Sequence, residues 1–135
     1  MSGLQEVCFK NNVDERGNLT VVEGGLDIPF DIKRIFYIYG GNTQIVRGQH
    51  ANRYSEFVLI CVSGKCRVRV DDGKGRSEVY ELNEPYKGLY VPRMYWKEMY
   101  DFEKNTVLLA LSSCHYDAQE YIRSYEEFLK TVKEM

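Results

Sequence analysis

With 135 residues, 44% of them hydrophobic and 28% charged, the chain reads as one domain spanning 1–135, able to bury about two thirds of its unfolded surface. A net charge of −2 gives no general attraction to nucleic acid or to an anionic membrane, so an anionic ligand must be met by local arginines and lysines. No apolar run approaches bilayer-spanning length, and the start, MSGLQEVCFKN, has no signal-peptide core. No C-x-x-C links Cys8, Cys61, Cys66 and Cys114; they read as reduced, buried thiols of a cytoplasmic protein.

In chain order, "DERGNL" (14–19) comes first. Asp14 and Gly17 suit a turn, and Arg16 offers a fork for bidentate grip on a diphosphate. A strand "LTVVE" (19–23) then ends at Gly24-Gly25, and "IKRIFYIY" (32–39) ends at Gly40-Gly41-Asn42. "RGQHANRYSE" (47–56) precedes the doubly buried run "EFVLICVSG" (56–64), which Gly64 closes. "KCRVRV" (65–70) alternates cleanly and stops at Asp71-Asp72-Gly73, a hairpin turn signal. "SEVYEL" (77–82), "GLYVP" (88–92), "WKEMYDF" (96–102) and "TVLLALSS" (106–113) complete the series. Turns at such intervals predict an all-β barrel or sandwich. The end differs: Asp117-Ala-Gln-Glu120 has the shape of a capping box, and Ile122, Tyr125, Leu129 and Val132 make one stripe of a C-terminal helix.

The stretch before the buried run resembles half of a metal site, in which H-x-H is followed four residues later by Glu and a further His comes from a later strand. The four positions hold His50, Asn52, Glu56 and Lys97. An amide oxygen is a poor ligand for a borderline metal and an ammonium repels a cation, so no metal is expected, and the reaction considered below requires no other cofactor. What remains is a pocket with one imidazole at a barrel mouth. Of the two histidines, His115 at a strand-to-helix junction reads as a surface or capping residue. Arg47 and Arg53 flank His50, Tyr37 and Tyr39 end a strand expected to pair nearby, and Tyr86, Tyr90, Tyr95 and Tyr100 add phenols along later strands. Most of the eleven tyrosines suit core or interface places with one wet end, though sugar rings and nucleobases also favour aromatic platforms.

Taken in order, "DERG", "IPFDIKRIFYI", "RGQHA", "GLYVP", "W-x-EM-x-DF" and "YD-x-x-x-YIR-x-Y" resemble the thymidine-diphosphate-linked 4-keto-6-deoxyglucose 3,4-ketoisomerases, small bacterial cupins of sugar biosynthesis. The resemblance runs from about Phe9 to Phe128. It implies a cupin-type β-barrel (jelly roll) with a short C-terminal α-helix, no metal, and a homodimer with exchanged strands. It also implies a TDP-linked keto sugar as substrate, whose carbonyl moves from carbon 4 to carbon 3 on the way to 3-amino-3,6-dideoxy sugars of surface polysaccharide. The family's diphosphate-binding arginine maps onto Arg16. Moving a carbonyl by one carbon runs through an enediol and wants a base titrating near neutrality, which His50 offers, and donors for the enediolate oxygen. On this reading His50, Asn52, Tyr37 and Lys97 carry the reaction, while Arg16, Arg47, Arg53 and Tyr90 hold the substrate. The chain departs from the family at Asn52 and Lys97, where histidines are usual, and at Phe57, where glutamine is. A non-catalytic nucleotide-sugar binding or regulatory cupin, or a related epimerase, is the alternative reading.

Overall fold

A computed structural model of the chain describes residues 3–41 and 43–135. The turn predicted at Gly40-Gly41-Asn42 therefore lies partly outside the described residues. Among the described residues the strands are β1 (Gln5–Cys8), β2 (Asn11–Asp14), β3 (Gly17–Thr20), β4 (Arg34–Ile38), β5 (Arg47–Asn52), β6 (Phe57–Ser63), β7 (Cys66–Asp71), β8 (Ser77–Leu82), β9 (Lys87–Val91), β10 (Trp96–Tyr100) and β11 (Val107–Ser112). A 3₁₀ turn (Ala118–Glu120), a short strand β12 (Tyr121–Ile122) and a helix α1 (Tyr125–Lys133) follow.

Two antiparallel five-stranded sheets, ordered β1-β9-β6-β11-β4 and β12-β5-β10-β7-β8, face each other, and β2 and β3 form a separate hairpin. This is the all-β, cupin-like barrel with one C-terminal helix that the strand pattern and the resemblance predict. The interior is filled by inward residues of both sheets, among them Phe57, Leu59, Leu89, Val91, Leu108 and Ala110 from the first and Cys66, Val68, Val70 and Met99 from the second. The opposite face of the first sheet is also covered. Phe9, Ile28 and Phe30 pack on Val58, Ile60 and Leu111. That double cover is why Phe57 to Cys61 form an unbroken apolar run. β7 is covered on one face only, so its arginines alternate outward, where Arg67 meets Asp101 at 3.0 Å and Glu81 at 3.5 Å. No helix of the described residues is long and apolar enough to cross a membrane.

Several expected boundaries shift. "LTVVE" is strand only to Thr20, because β3 pairs with β2 from Gly17 to Thr20 and leaves the remainder as loop. The turn after β7 is longer than a two-residue hairpin: Asp72 N–H bonds to Arg76 O at 3.1 Å, and Asp71 Oδ1 accepts from Gly73 N–H at 2.7 Å. Cys8 is exposed rather than buried, while Cys61 and Cys66 are buried and all four thiols are unpaired.

The stretch holding His50, expected as the approach to a strand, is itself strand β5. Positive φ at Gly48 (84°) and Gln49 (56°), with a register shift opposite Lys97 and Glu98, makes a bulge that breaks the period-two pattern. Glycine is required there, since a Cβ on residue 48 would lie 2.9 Å from the Lys97 carbonyl oxygen.

The capping box also resolves differently. Asp117 caps only the 3₁₀ turn, after which the chain returns to extended backbone at β12. Helix α1 begins after Ser124, whose hydroxyl accepts from Glu127 N–H at 3.2 Å. Ser124-Tyr-Glu-Glu127 is thus the S-x-x-E signature that counts. Ile122 belongs to the strand, Leu129 is on the exposed side, and Phe128 and Val132 fix the helix to Ala51, Met94 and Trp96. Ser124→Ala should lower stability by about 1 kcal/mol in urea denaturation. Asp117→Ala, at a single 3₁₀ turn, should cost less.

Candidate functional site

Ala51 is buried beneath α1, so the pleat turns its neighbours His50 and Asn52 to the barrel interior. Across the sheet, Lys97 of β10 is in register with His50. The bulge at Gly48 and Gln49 sits beside this pair. Their side chains meet a cleft of about 190 Å³ lined also by Phe36, Phe57, Met99 and Arg47. It opens where β4, the last strand of one sheet, comes alongside β5 of the other without pairing to it. The expected pairing of the Tyr37 strand near His50 is therefore a facing across the mouth; β4 pairs with β11. A roomier groove of about 320 Å³ runs between the β7–β8 turn and α1, lined by Asp72, Lys74, Arg93, Tyr95 and Met135 among others; neither His50 nor Lys97 lines it.

Lys97 is 3% exposed. Its ammonium donates to Asn52 Oδ1 at 3.2 Å and to the Tyr95 carbonyl at 3.4 Å, and lies 4.9 Å from the centre of the Phe57 ring. Burial lowers its pKa to about 7, partly opposed by the negative charge of Glu120. Burial, and then the charge of Lys97, lowers the pKa of His50 to about 4. The imidazole is therefore neutral at physiological pH and free to accept a proton, but it titrates well below the near-neutral value expected from the sequence, because burial and the Lys97 charge disfavour the imidazolium. Its Nδ1 is buried without a hydrogen-bond partner. The ring packs edge-on against Tyr121, centroids 4.8 Å apart.

Three residues outside the sequence-based candidates complete the surroundings. Glu120, taken from the sequence as a helix cap, is turned inward. Its carboxylate accepts from the amides of Tyr54 (2.9 Å) and Ser55 (2.7 Å) and from the Ser55 hydroxyl. Burial alone would raise its pKa, but these bonds, with Asn52 nearby, hold it below the ordinary carboxylate value. Arg34 bonds Tyr121 Oη at 3.0 Å, linking the two sheets at the mouth, and lies over the Phe36 and Tyr116 rings with a buried, unpartnered Nε. Alternation in "RIFYI" already puts Arg34 on the face of Phe36 and Ile38, so this one was legible. Tyr121 was not, because its strand was read as helix.

The other expected residues are spread more widely. Arg47 lines the cleft and is exposed. Tyr37 touches its rim but is 59% exposed, on the outward side of β4. Arg53 reaches away to Glu127 of α1, 3.4 Å distant. Tyr90 lies on the outer face of the first sheet, its hydroxyl on the Glu56 carboxylate. Glu56 is thereby drawn away from His50 as well, so the inward set of His50, Asn52 and Lys97 has a single good metal donor. Arg16 stands at the tip of the β2–β3 hairpin, 86% exposed and paired with Asp14 at 2.6 Å, outside the cleft of its own chain. His115 is exposed.

Comparison with known proteins bears directly on this arrangement. The family model FdtA, described as WxcM-like, C-terminal, matches residues 3–133. The chain belongs to the FdtA family. A relative 42% identical over 126 residues, 93% of this chain and 90% of its own length, is the TDP-4-oxo-6-deoxy-alpha-D-glucose-3,4-oxoisomerase of Aneurinibacillus thermoaerophilus. The solved structure of QdtA, a sugar 3,4-ketoisomerase from Thermoanaerobacterium thermosaccharolyticum in complex with TDP, superposes with a TM-score of 0.96 at 39% identity, covering 99% of this chain and 97% of that one. A 3,4-ketoisomerase from Helicobacter canadensis gives 0.95 at 38% identity, covering 98% and 99%. The FdtA fold thus extends along nearly the whole chain.

The buried lysine has a measurable signature. Its folded pKa, about 7, lies below the unfolded value, so folding is disfavoured while the unfolded lysine is the more protonated, and stability rises with pH from about 7 to about 10.4. Lys97→Met should therefore be more stable than the parent at pH 7, by about 2–4 kcal/mol at about 1.4 kcal/mol per pKa unit. The gap in urea denaturation should narrow by pH 10.

Proposed function

We propose that this protein is a nucleotide-sugar 3,4-ketoisomerase acting on a TDP-linked 4-keto-6-deoxyhexose. One observation carries the reading: two proton-bearing nitrogens, on His50 and Lys97, flank one cleft from registered positions, in a chain whose relatives include a TDP-4-oxo-6-deoxyglucose 3,4-oxoisomerase. At about 190 Å³ the cleft is smaller than the about 300–1,000 Å³ usual for whole ligands of drug size. It suits a hexose ring, with the nucleotide lying along the mouth.

The chemistry needs only proton movements. A base takes the proton on carbon 3 and the carbonyl oxygen on carbon 4 gains one, giving a neutral enediol. The oxygen on carbon 3 then gives up its proton and carbon 4 receives one, leaving a carbonyl at carbon 3. No electrons leave the substrate. Neutral His50 accepts the carbon-bound proton, and Lys97, titrating near neutrality, is matched to hand one back. The Lys97 ammonium, which lines the cleft, is the hydrogen-bonding group for the two oxygens. Asn52 stands behind it with its oxygen on the amine, and Tyr37 reaches only the rim from the outward side of β4. Such an enzyme supplies 3-keto sugars for 3-amino-3,6-dideoxy sugars of surface polysaccharide. The unpaired thiols suit a cytoplasmic site of action.

The active form is a homodimer with exchanged strands. Val13 and Leu19 on the β2–β3 hairpin and Ile35, Tyr37 and Tyr39 on the outward side of β4 are exposed apolar groups that a second subunit would cover. Exchange of the hairpin would carry Arg16 to the partner's mouth, where it joins Arg47 on the diphosphate. Sedimentation should give a species of about twice 15.8 kDa well above micromolar concentration. Arg16→Ala should weaken TDP binding by about 1.5–3 kcal/mol, the range for a charged hydrogen-bond partner.

The decisive experiment is incubation with the 4-keto sugar nucleotide in heavy water, following carbons 3 and 4 by NMR. Deuterium should enter with formation of the 3-keto product. His50→Asn should slow this by about a hundred- to ten-thousand-fold while nucleotide binding is retained. A parent protein that binds the sugar nucleotide and exchanges nothing would instead be a binding module, the reading favoured by an amide at Asn52 in place of an imidazole.

A further inference from the structure

The barrel holds two ionisable groups of opposite sign, Lys97 and Glu120, exposed by only 3% and 2%. Among the described residues neither makes a direct ion pair. Buried charges are ordinarily paired, because each one left alone forfeits its hydration. Between these two stands Asn52, itself fully buried. Its Oδ1 takes the Lys97 ammonium at 3.2 Å. Its Nδ2 is left without a partner in hydrogen-bond geometry, yet the amide lies near enough to help hold Glu120 ionised. An amide between a cation and an anion has one favourable orientation, oxygen toward the ammonium and nitrogen toward the carboxylate. Glu120 cannot drift from this place: both of its oxygens are tied to residues 54 and 55, its carbonyl accepts from Arg53 N–H at 3.0 Å, and its N–H bonds to Asp117 O at 3.2 Å.

We propose that Glu120 is a positioning residue of the proposed isomerase site, which through the Asn52 amide holds Lys97 against the cleft and sets how much of it is protonated at working pH. The proposal rests on the reading of Lys97 as a proton-transferring group, and deepens it. Among the described residues, the other titratable groups that line the cleft with Lys97 are His50 and Arg47 from β5 and, at the rim, Tyr37 from β4; none of these is a carboxylate. Glu120 is the negative charge that favours the ammonium, and removing it must disfavour the protonated form.

The test is an NMR titration of the lysine side chains without substrate, the Lys97 signal being assigned by its loss in Lys97→Met. In the parent the midpoint should lie near 7. In Glu120→Gln it should fall by one unit or more, and the pH optimum of deuterium exchange into the keto sugar should move down with it. Ser55→Ala, which removes a hydroxyl from Glu120 but leaves its charge, should lose thermal stability with the midpoint unmoved. Should Glu120→Gln not fold, Glu120→Asp serves: it keeps the charge, withdraws it by one methylene, and should lower the midpoint part of the way. A folded Glu120→Gln or Glu120→Asp protein with the parental midpoint overturns the proposal, as does an equal shift in Ser55→Ala. A shifted midpoint in a protein whose parent exchanges no deuterium supports the role of Glu120 and sinks the isomerase reading alone.

Discussion

Lys97 is an ammonium placed inside a barrel whose other fillings are Phe57, Leu59, Met99 and Leu108. Taking such a group from water is so unfavourable that it must surrender part of its charge or find compensation, and here both happen. Much of the site follows. Asn52 presents its oxygen to the amine, Glu120 is turned inward as the opposite charge, and the segment 117–122 leaves the helical path that its composition favours. Burial and the neighbouring amine together keep His50 neutral. The result is a cleft where one nitrogen can accept a proton and another can deliver one.

The same physics lets the residue at position 97 vary without loss of the fold. The residues that hold the sheets together, Val58 and Ile60 outward and Leu59, Leu89 and Leu108 inward, make no contact demands that distinguish a histidine from a lysine at position 97. What changes is the electrostatic partner such a residue requires. An imidazole can sit buried and neutral by itself, whereas a lysine calls for a carboxylate within reach and a polar group to relay its field. Glu120 and Asn52 meet that need.

The hairpin bearing Arg16 obeys a different constraint. Among the described residues its two strands pair only with each other and expose Val13 and Leu19, and an isolated two-stranded ribbon is marginal in water. Its arginine is neutralised by Asp14 two residues away, which keeps the guanidinium oriented. A residue so placed can act only on something outside its own barrel, and the proposed second subunit would account both for the apolar exposure and for the position of Arg16 away from the cleft.

Regular alternation and turn chemistry in the sequence by themselves determined the all-β class and most of the strands from β4 onward, because side chains that alternate between oil and water record their own geometry; the candidacy of His50, Asn52 and Lys97 came instead from the motif that these positions resemble. Strand β5 escaped, since the positive φ of Gly48 and Gln49 breaks that record at the very place where the site is built. Glu120 escaped for a related reason: Asp117-Ala-Gln-Glu120 and Ser124-Tyr-Glu-Glu127 both have the local form of a helix start, and only the pairing of Tyr121 and Ile122 with β5 decides between them. Likewise nothing local says that Glu56 and Tyr90 turn to the outer layer, or that Arg53 turns to α1. These choices depend on which face of a strand the rest of the chain covers, and that is settled by contacts between residues distant in sequence.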